Sequence, residues 1–291
     1  MQRLSGVWVP LITPLVDGGI DLAGCRRLVE HYVGKGVNGL IPLGTTGEAP
    51  TLDDDECEAI VAATVEVVAG RVPVFVGIGG NATRKVVRTL KRLERHAFAG
   101  ILSVCPYYNR PTQDGLARHF TTIAESTDRP ILVYNVPYRT SVNLETETLL
   151  ALARLPNIVG VKDSAGSIAQ SLDLLARRPG GFSVLTGEDA LFFTLLANGA
   201  DGGILASAHL ATERFVEIAR LVAANDHLAA RALWTPLAPV IPKLFQEANP
   251  MPIKHCLWRQ GLIASPECRL PLGTVGEALA RELDDWLPKL A

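Results

Sequence analysis

Period-2 alternation in Ile158-Val159-Gly160-Val161-Lys162-Asp163 puts Ile158, Gly160 and Lys162 on one face of a strand. A lysine beside a glycine on such a face points into a crowded interior. Taking its ammonium out of water lowers the pKa and raises the fraction of neutral amine, the form that attacks a carbonyl. Read alone, Lys162 fits equally well a strand tip that reaches solvent. Gly44-Thr45-Thr46-Gly47-Glu48 combines two hydroxyls with two glycines, a composition that frees backbone N–H groups for an anion such as a carboxylate, or that simply caps the next helix. Two further segments, Pro106-Tyr107-Tyr108-Asn109-Arg110-Pro111 and Tyr134-Asn135-Val136-Pro137-Tyr138-Arg139-Thr140, collect four of the five tyrosines. A phenol held in line is a competent proton shuttle, and it is also a common plug for the mouth of a barrel.

These groups need a scaffold that presents them together. Short β-branched runs at 7–13, 39–43, 73–78, 100–105, 130–136, 158–163, 182–187 and 202–207 alternate with helix-sized segments at 21–35, 51–69, 82–96, 113–126, 144–155, 168–177, 189–198 and 212–224. Eight alternating units predict a (β/α)8 barrel, in which reactive groups sit at the carboxyl ends of strands. An open doubly wound sheet would carry a GxGxxG turn after its first strand, whereas here Thr13-Pro14-Leu15 follows. Beyond residue 225 the strand signal stops. Helices are expected at 228–246, 252–260 and 275–290, with turns at Asn249-Pro250 and Ser265-Pro266. The expected organisation is a catalytic barrel over 1–225 and a helical appendage over 226–291 packed on it.

Composition narrows the alternatives. A chain of 291 residues with 48% hydrophobic and 20% charged residues buries a large core, and its net charge of -2 argues against nucleic acid as a partner. The densest basic group, Arg84, Lys85, Arg88, Lys91 and Arg92, reads as a solvated helix face. The five cysteines form no CxxC pair, which fits a reducing cytoplasm and argues against a zinc knuckle. The stretch from Met1 to Pro14 lacks the pattern of an export signal, and no apolar run is long enough to span a membrane. The six histidines show no metal-binding spacing, and His209 alone follows a candidate strand closely enough to reach a barrel mouth. Neither a GxSxG elbow nor a P-loop is present.

The four motifs at 44–48, 107–111, 134–140 and 160–164, in that order and at those strand ends, resemble the dihydrodipicolinate synthase and N-acetylneuraminate lyase family over essentially the whole chain. The resemblance implies that Lys162 forms an imine with pyruvate, whose carboxylate Thr45 and Thr46 bind, with Gly187 and Ile204 lining the substrate. It implies a proton relay of Thr45, Tyr134 and Tyr108, with Tyr108 reaching into a neighbouring subunit of a homotetramer built as a dimer of dimers. No cofactor beyond the covalent imine is expected. Arg139 matches the position that binds aspartate 4-semialdehyde in the synthase branch, which implies condensation of that aldehyde with pyruvate in lysine and diaminopimelate synthesis. The alternative is a paralogous aldolase or hydratase acting on a hydroxy-oxoglutarate or a sugar acid. The segment Gly203-Ile204-Leu205-Ala206-Ser207-Ala208-His209 departs from the usual synthase pattern. Asp54, Cys57 and Lys85 stand where lysine-regulated members carry histidines and a glutamate, so feedback by lysine is expected to be weak or absent.

Overall fold

The computed structural model describes residues 3–290; the first two residues of the amino-terminal stretch read above, and residue 291 at the end of the expected appendage, lie outside them. Eight parallel strands are present: β1 (Gly6–Pro10), β2 (Gly39–Ile41), β3 (Phe75–Gly77), β4 (Gly100–Val104), β5 (Ile131–Asn135), β6 (Ile158–Asp163), β7 (Ser183–Thr186) and β8 (Gly202–Ile204). Helical structure follows each of them, and the fold is the (β/α)8 barrel that the alternation predicts. The strands are almost continuously buried runs of Val, Ile and Leu, as parallel strands covered on both faces must be.

The chain divides into two compact units. The first comprises the segment ending at Gly6 together with Phe75–Ile204. Its strands pair in the order β8-β7-β6-β5-β4-β3. Among its helices, α3 (Thr83–Leu93) buries Val86, Leu90 and Leu93 and exposes Arg84, Lys85, Arg88 and Lys91, which makes most of the basic group a solvated face. Helix α6 (Ile168–Arg177) starts where Ser167 caps the N–H of Gln170. The helix expected over 189–198 is instead a 3-10 turn, Asp189–Leu191, running into a short helix, Phe192–Ala197.

The second unit comprises Val7–Val74 and the chain from Leu205 onward. It pairs β1 with β2, Trp8 opposite Gly39, where any Cβ on Gly39 would collide with the indole. Leu40 bridges Val74 in parallel, and the N–H of Leu205 donates to the carbonyl of Trp8 at 3.0 Å. A hairpin of Leu15–Val16 and Gly19–Ile20, absent from the sequence expectation, turns at Asp17-Gly18, both with positive φ. Helix α2 (Asp54–Val68) opens with a reciprocal capping box between Asp53 and Glu56. The carboxyl-terminal helices α9 (His227–Leu237), α10 (Met251–Arg259) and α11 (Glu277–Leu290) belong to this unit. The first is shorter than the expected 228–246: it ends at Leu237, and the chain goes on to a 3-10 turn, Ile241–Phe245, where Pro242 has no N–H for an α-helical bond.

Candidate active site

In the first unit, Lys162 comes from the end of β6 and Tyr134 from the neighbouring end of β5, and the two are direct register partners. That pairing depends on an irregularity. Ile131 pairs with Ile158 but Leu132 pairs with Gly160, so one residue of β6, Val159, is left over. Without the slip Tyr134 would stand opposite Val161 and the two side chains would lie on different faces. With it, the Lys162 Nζ lies 4.4 Å from the centroid of the Tyr134 ring, and both residues are buried. Two glycines admit this arrangement. A Cβ on Gly160 would strike the carbonyl of Ser183, and one on Gly187 would strike the side chains of Lys162 and Ser164.

Burial is the largest influence on the Lys162 amine and brings its pKa down to about 8. Asp189, Tyr138 and Glu188 oppose the shift by favouring the ammonium, and Arg139 reinforces it. The Glu188 carboxyl is itself pushed up, first by burial and then by Asp189 beside it. Asp163 is also raised by burial; it accepts from Ser171 Oγ at 2.5 Å and from the N–H of Ala165 at 3.1 Å, tying the end of β6 to α6. Asp163 therefore holds the strand end and takes no visible part in chemistry.

Arg139 lies on a single helical turn, Pro137–Thr140, which begins two residues after β5. It is exposed, with its guanidinium carbon 5.4 Å from the Tyr138 ring centroid. An amide network fixes the surrounding loop: Asn135 Nδ2 donates to Asn143 Oδ1 at 2.8 Å, while its Oδ1 accepts from the N–H of Leu144 at 3.0 Å. Tyr108 is 90% exposed, with φ at 75° in the left-handed region. Ile204 closes β8 and is completely buried.

In the second unit, Gly44-Thr45-Thr46-Gly47-Glu48 forms a 3-10 turn, Thr45–Gly47, after β2. The first internal bonds run from the N–H of Gly47 to the carbonyl of Gly44 and from that of Glu48 to Thr45, so the N–H groups of Thr45 and Thr46 precede the hydrogen-bonded part of the turn. Thr46 is buried and its Oγ1 accepts from Asn249 Nδ2 at 3.0 Å. Nothing near position 46 in sequence announces Asn249, whose contribution arrives 203 residues later. The carboxyl groups that act on Lys162, Glu188 and Asp189, were missed, although they directly follow the expected Gly187, whereas Tyr138 belongs to the tyrosine-bearing segment already singled out. His209 has a structural place: its Nδ1 donates to the Ala206 carbonyl at 2.8 Å, its Nε2 accepts from the N–H of Ile12 at 3.3 Å, and Tyr32 packs edge-on against it. Burial holds its pKa down to about 4, so it is the neutral imidazole that these two bonds require.

Residues 3–289 match the family model described as the dihydrodipicolinate synthetase family. A Clostridium acetobutylicum protein named 4-hydroxy-tetrahydrodipicolinate synthase 2 is 50% identical over 286 residues, covering 98% of this chain and 100% of the relative. The solved dihydrodipicolinate synthase of Thermotoga maritima superposes with a TM-score of 0.97 at 38% identity, covering 99% of each chain. A chloride-inhibited dihydrodipicolinate synthase from Acinetobacter baumannii, solved with pyruvate, superposes with a TM-score of 0.96 at 36% identity, again over 99% of each chain.

Proposed function

The chain belongs to the dihydrodipicolinate synthetase family, and from that premise we propose that it condenses pyruvate with aspartate 4-semialdehyde to 4-hydroxy-tetrahydrodipicolinate. The observation that carries this reading is the buried Lys162 amine, brought to about 8 beside Tyr134. At pH 7 such an amine is neutral roughly 300-fold more often than one with the ordinary value of 10.5. It adds to C2 of pyruvate, and the ketone oxygen departs as water. The protonated imine then draws electrons from C3, whose proton is lost, and the resulting enamine attacks the aldehyde carbon. The amino group of the aldehyde substrate next attacks C2, closing the ring and releasing Lys162. The imine itself is the electron sink, so the chemistry calls for no separate cofactor.

In this reading Thr45 and Thr46 bind the carboxylate of pyruvate, Gly187 and Ile204 bound the substrate, and Tyr134 passes protons with Thr45 and Tyr108. Arg139 takes the carboxylate of the aldehyde; its exposure and its place on the loop after β5 favour a role at the entrance. The left-handed backbone of the exposed Tyr108 supports its use by a second subunit, within a tetramer of two dimers. Borohydride reduction in the presence of pyruvate should add the pyruvate skeleton to Lys162, read by peptide mass spectrometry, and an unlabelled Lys162 refutes the imine. Product formation from aspartate semialdehyde should fall at least about tenfold in kcat/KM in Arg139→Ala. Absence of turnover in the wild type refutes the assigned acceptor.

A further inference from the structure

We propose that Lys254 is a positioning residue for the carboxylate-binding turn, acting through a buried ion pair with Glu48. The inference rests on the roles proposed above for Thr45 and Thr46. Glu48 ends the Gly-Thr-Thr-Gly-Glu motif and leaves the 3-10 turn with φ at 55°, a left-handed conformation that costs a residue with a Cβ about 1–2 kcal/mol. Its side chain is wholly enclosed. Lys254 Nζ pairs with Glu48 Oε1 with neither side chain open to solvent, and also donates to the carbonyl of Glu267 at 2.6 Å. The other carboxylate oxygen accepts from the backbone N–H of Arg269 at 2.8 Å. The Arg269 guanidinium continues to Glu56 on α2 and to the carbonyls of Thr51 and Gly18. Asn249 adds the bond to Thr46 Oγ1, and by occupying that oxygen as donor it leaves the Thr46 hydroxyl hydrogen to point elsewhere.

Three groups from the carboxyl-terminal segment, at 249, 254 and 269, thus converge on residues 46 and 48 of one turn. A buried ion pair is a poor device for stability alone, since apolar groups of similar volume frequently serve as well. What it supplies is direction. Both oxygens of Glu48 are held at fixed points, which fixes the backbone exit from the turn and the orientation of the N–H and hydroxyl groups of Thr45 and Thr46 ahead of it. The helical appendage is accordingly part of the pyruvate site, although Lys254 touches no substrate.

The test is borohydride trapping at Lys162 as a function of pyruvate concentration, which needs no second substrate. Glu48→Gln/Lys254→Met removes both charges together and leaves no unpaired charge in the core, although the Glu267 carbonyl loses its Lys254 donor; Glu48→Gln alone keeps the shape and removes one. The half-saturating pyruvate concentration should rise about tenfold or more in the double variant and about threefold in the single one, with the limiting labelling rate changed less than about threefold. Leu237→Ala, in the buried face of α9, supplies a tail destabilised by cavity formation with the clamp intact, and its half-saturation should equal that of the wild type. Half-saturation within twofold of wild type in the charge variants, or an equal rise in Leu237→Ala at matched loss of thermal stability, overturns the inference. A wild type that never labels removes the imine reading and this inference together.

Discussion

An amine that must be neutral to react and is buried to become so weakens the protein that carries it. The shift of Lys162 from 10.5 to about 8 corresponds to roughly 3 kcal/mol against the ammonium in the folded state. The unfolded chain binds the proton more tightly between those two values, so this group's contribution to stability rises with pH across about 8 to 10.5 and is at its least favourable below 8. Lys162→Met should therefore raise stability at pH 7 by up to about 3 kcal/mol while abolishing trapping, as measured by denaturant titration and mass spectrometry. Above pH 10.5 the advantage should vanish. The trapping rate of the wild type should climb tenfold per pH unit and level off near pH 8, whereas a plateau only above pH 10 would show an unperturbed amine. In sequence Lys162 fits both a solvent-reaching tip and a nucleophile; its burial against the Tyr134 ring excludes the tip. His209 was the reverse case, a histidine whose position after a strand pointed to the mouth and whose two ring bonds make it part of the packing.

Among the elements, β6 carries the most information per residue. Its limits, Ile158–Asp163, coincide with the expectation, because a buried parallel strand of β-branched residues has an unambiguous pattern. Its register against β5 was not legible. A one-residue slip follows from how two twisted strands accommodate their neighbours, and no local composition encodes it. Gly160 reflects the crowding on the other side, where β7 passes close enough that a methyl would meet the Ser183 carbonyl. Gly160→Ala should lower stability by about 1–3 kcal/mol and slow trapping at Lys162 about tenfold, since β6 must move to relieve the overlap. Gly180→Ala, with open space around its would-be Cβ, should change neither. Equal behaviour of the two variants in thermal melts and trapping would show that β6 has slack. The hairpin at Asp17-Gly18 escaped notice for a different reason: the dipeptide is a strong turn signal, but the strands it joins are two residues each and carry no period.

At the scale of the whole molecule, the eightfold alternation was readable from the spacing of apolar runs, and so was a helical tail. The grip of that tail on the Gly-Thr-Thr-Gly-Glu turn was not, because Asn249, Lys254 and Arg269 meet residues 46 and 48 only after the chain has gone around the barrel. Tyr108 is a large aromatic side chain in solvent, on a left-handed backbone two residues before Arg110, which is left-handed as well. If Tyr108 serves the site of a partner, Tyr108→Phe and Lys162→Met, each inactive as a pure oligomer, should complement when dissociated and re-associated together. A mixed dimer then holds one site with both lesions and one with neither. Random pairing makes half of the dimers mixed, so activity should return to about a quarter of the wild-type value in a two-fold interface. Mixing without dissociation should give none. If Tyr108 serves its own chain, every site keeps one lesion whatever the pairing, and no activity returns after re-association even though sedimentation shows mixed dimers.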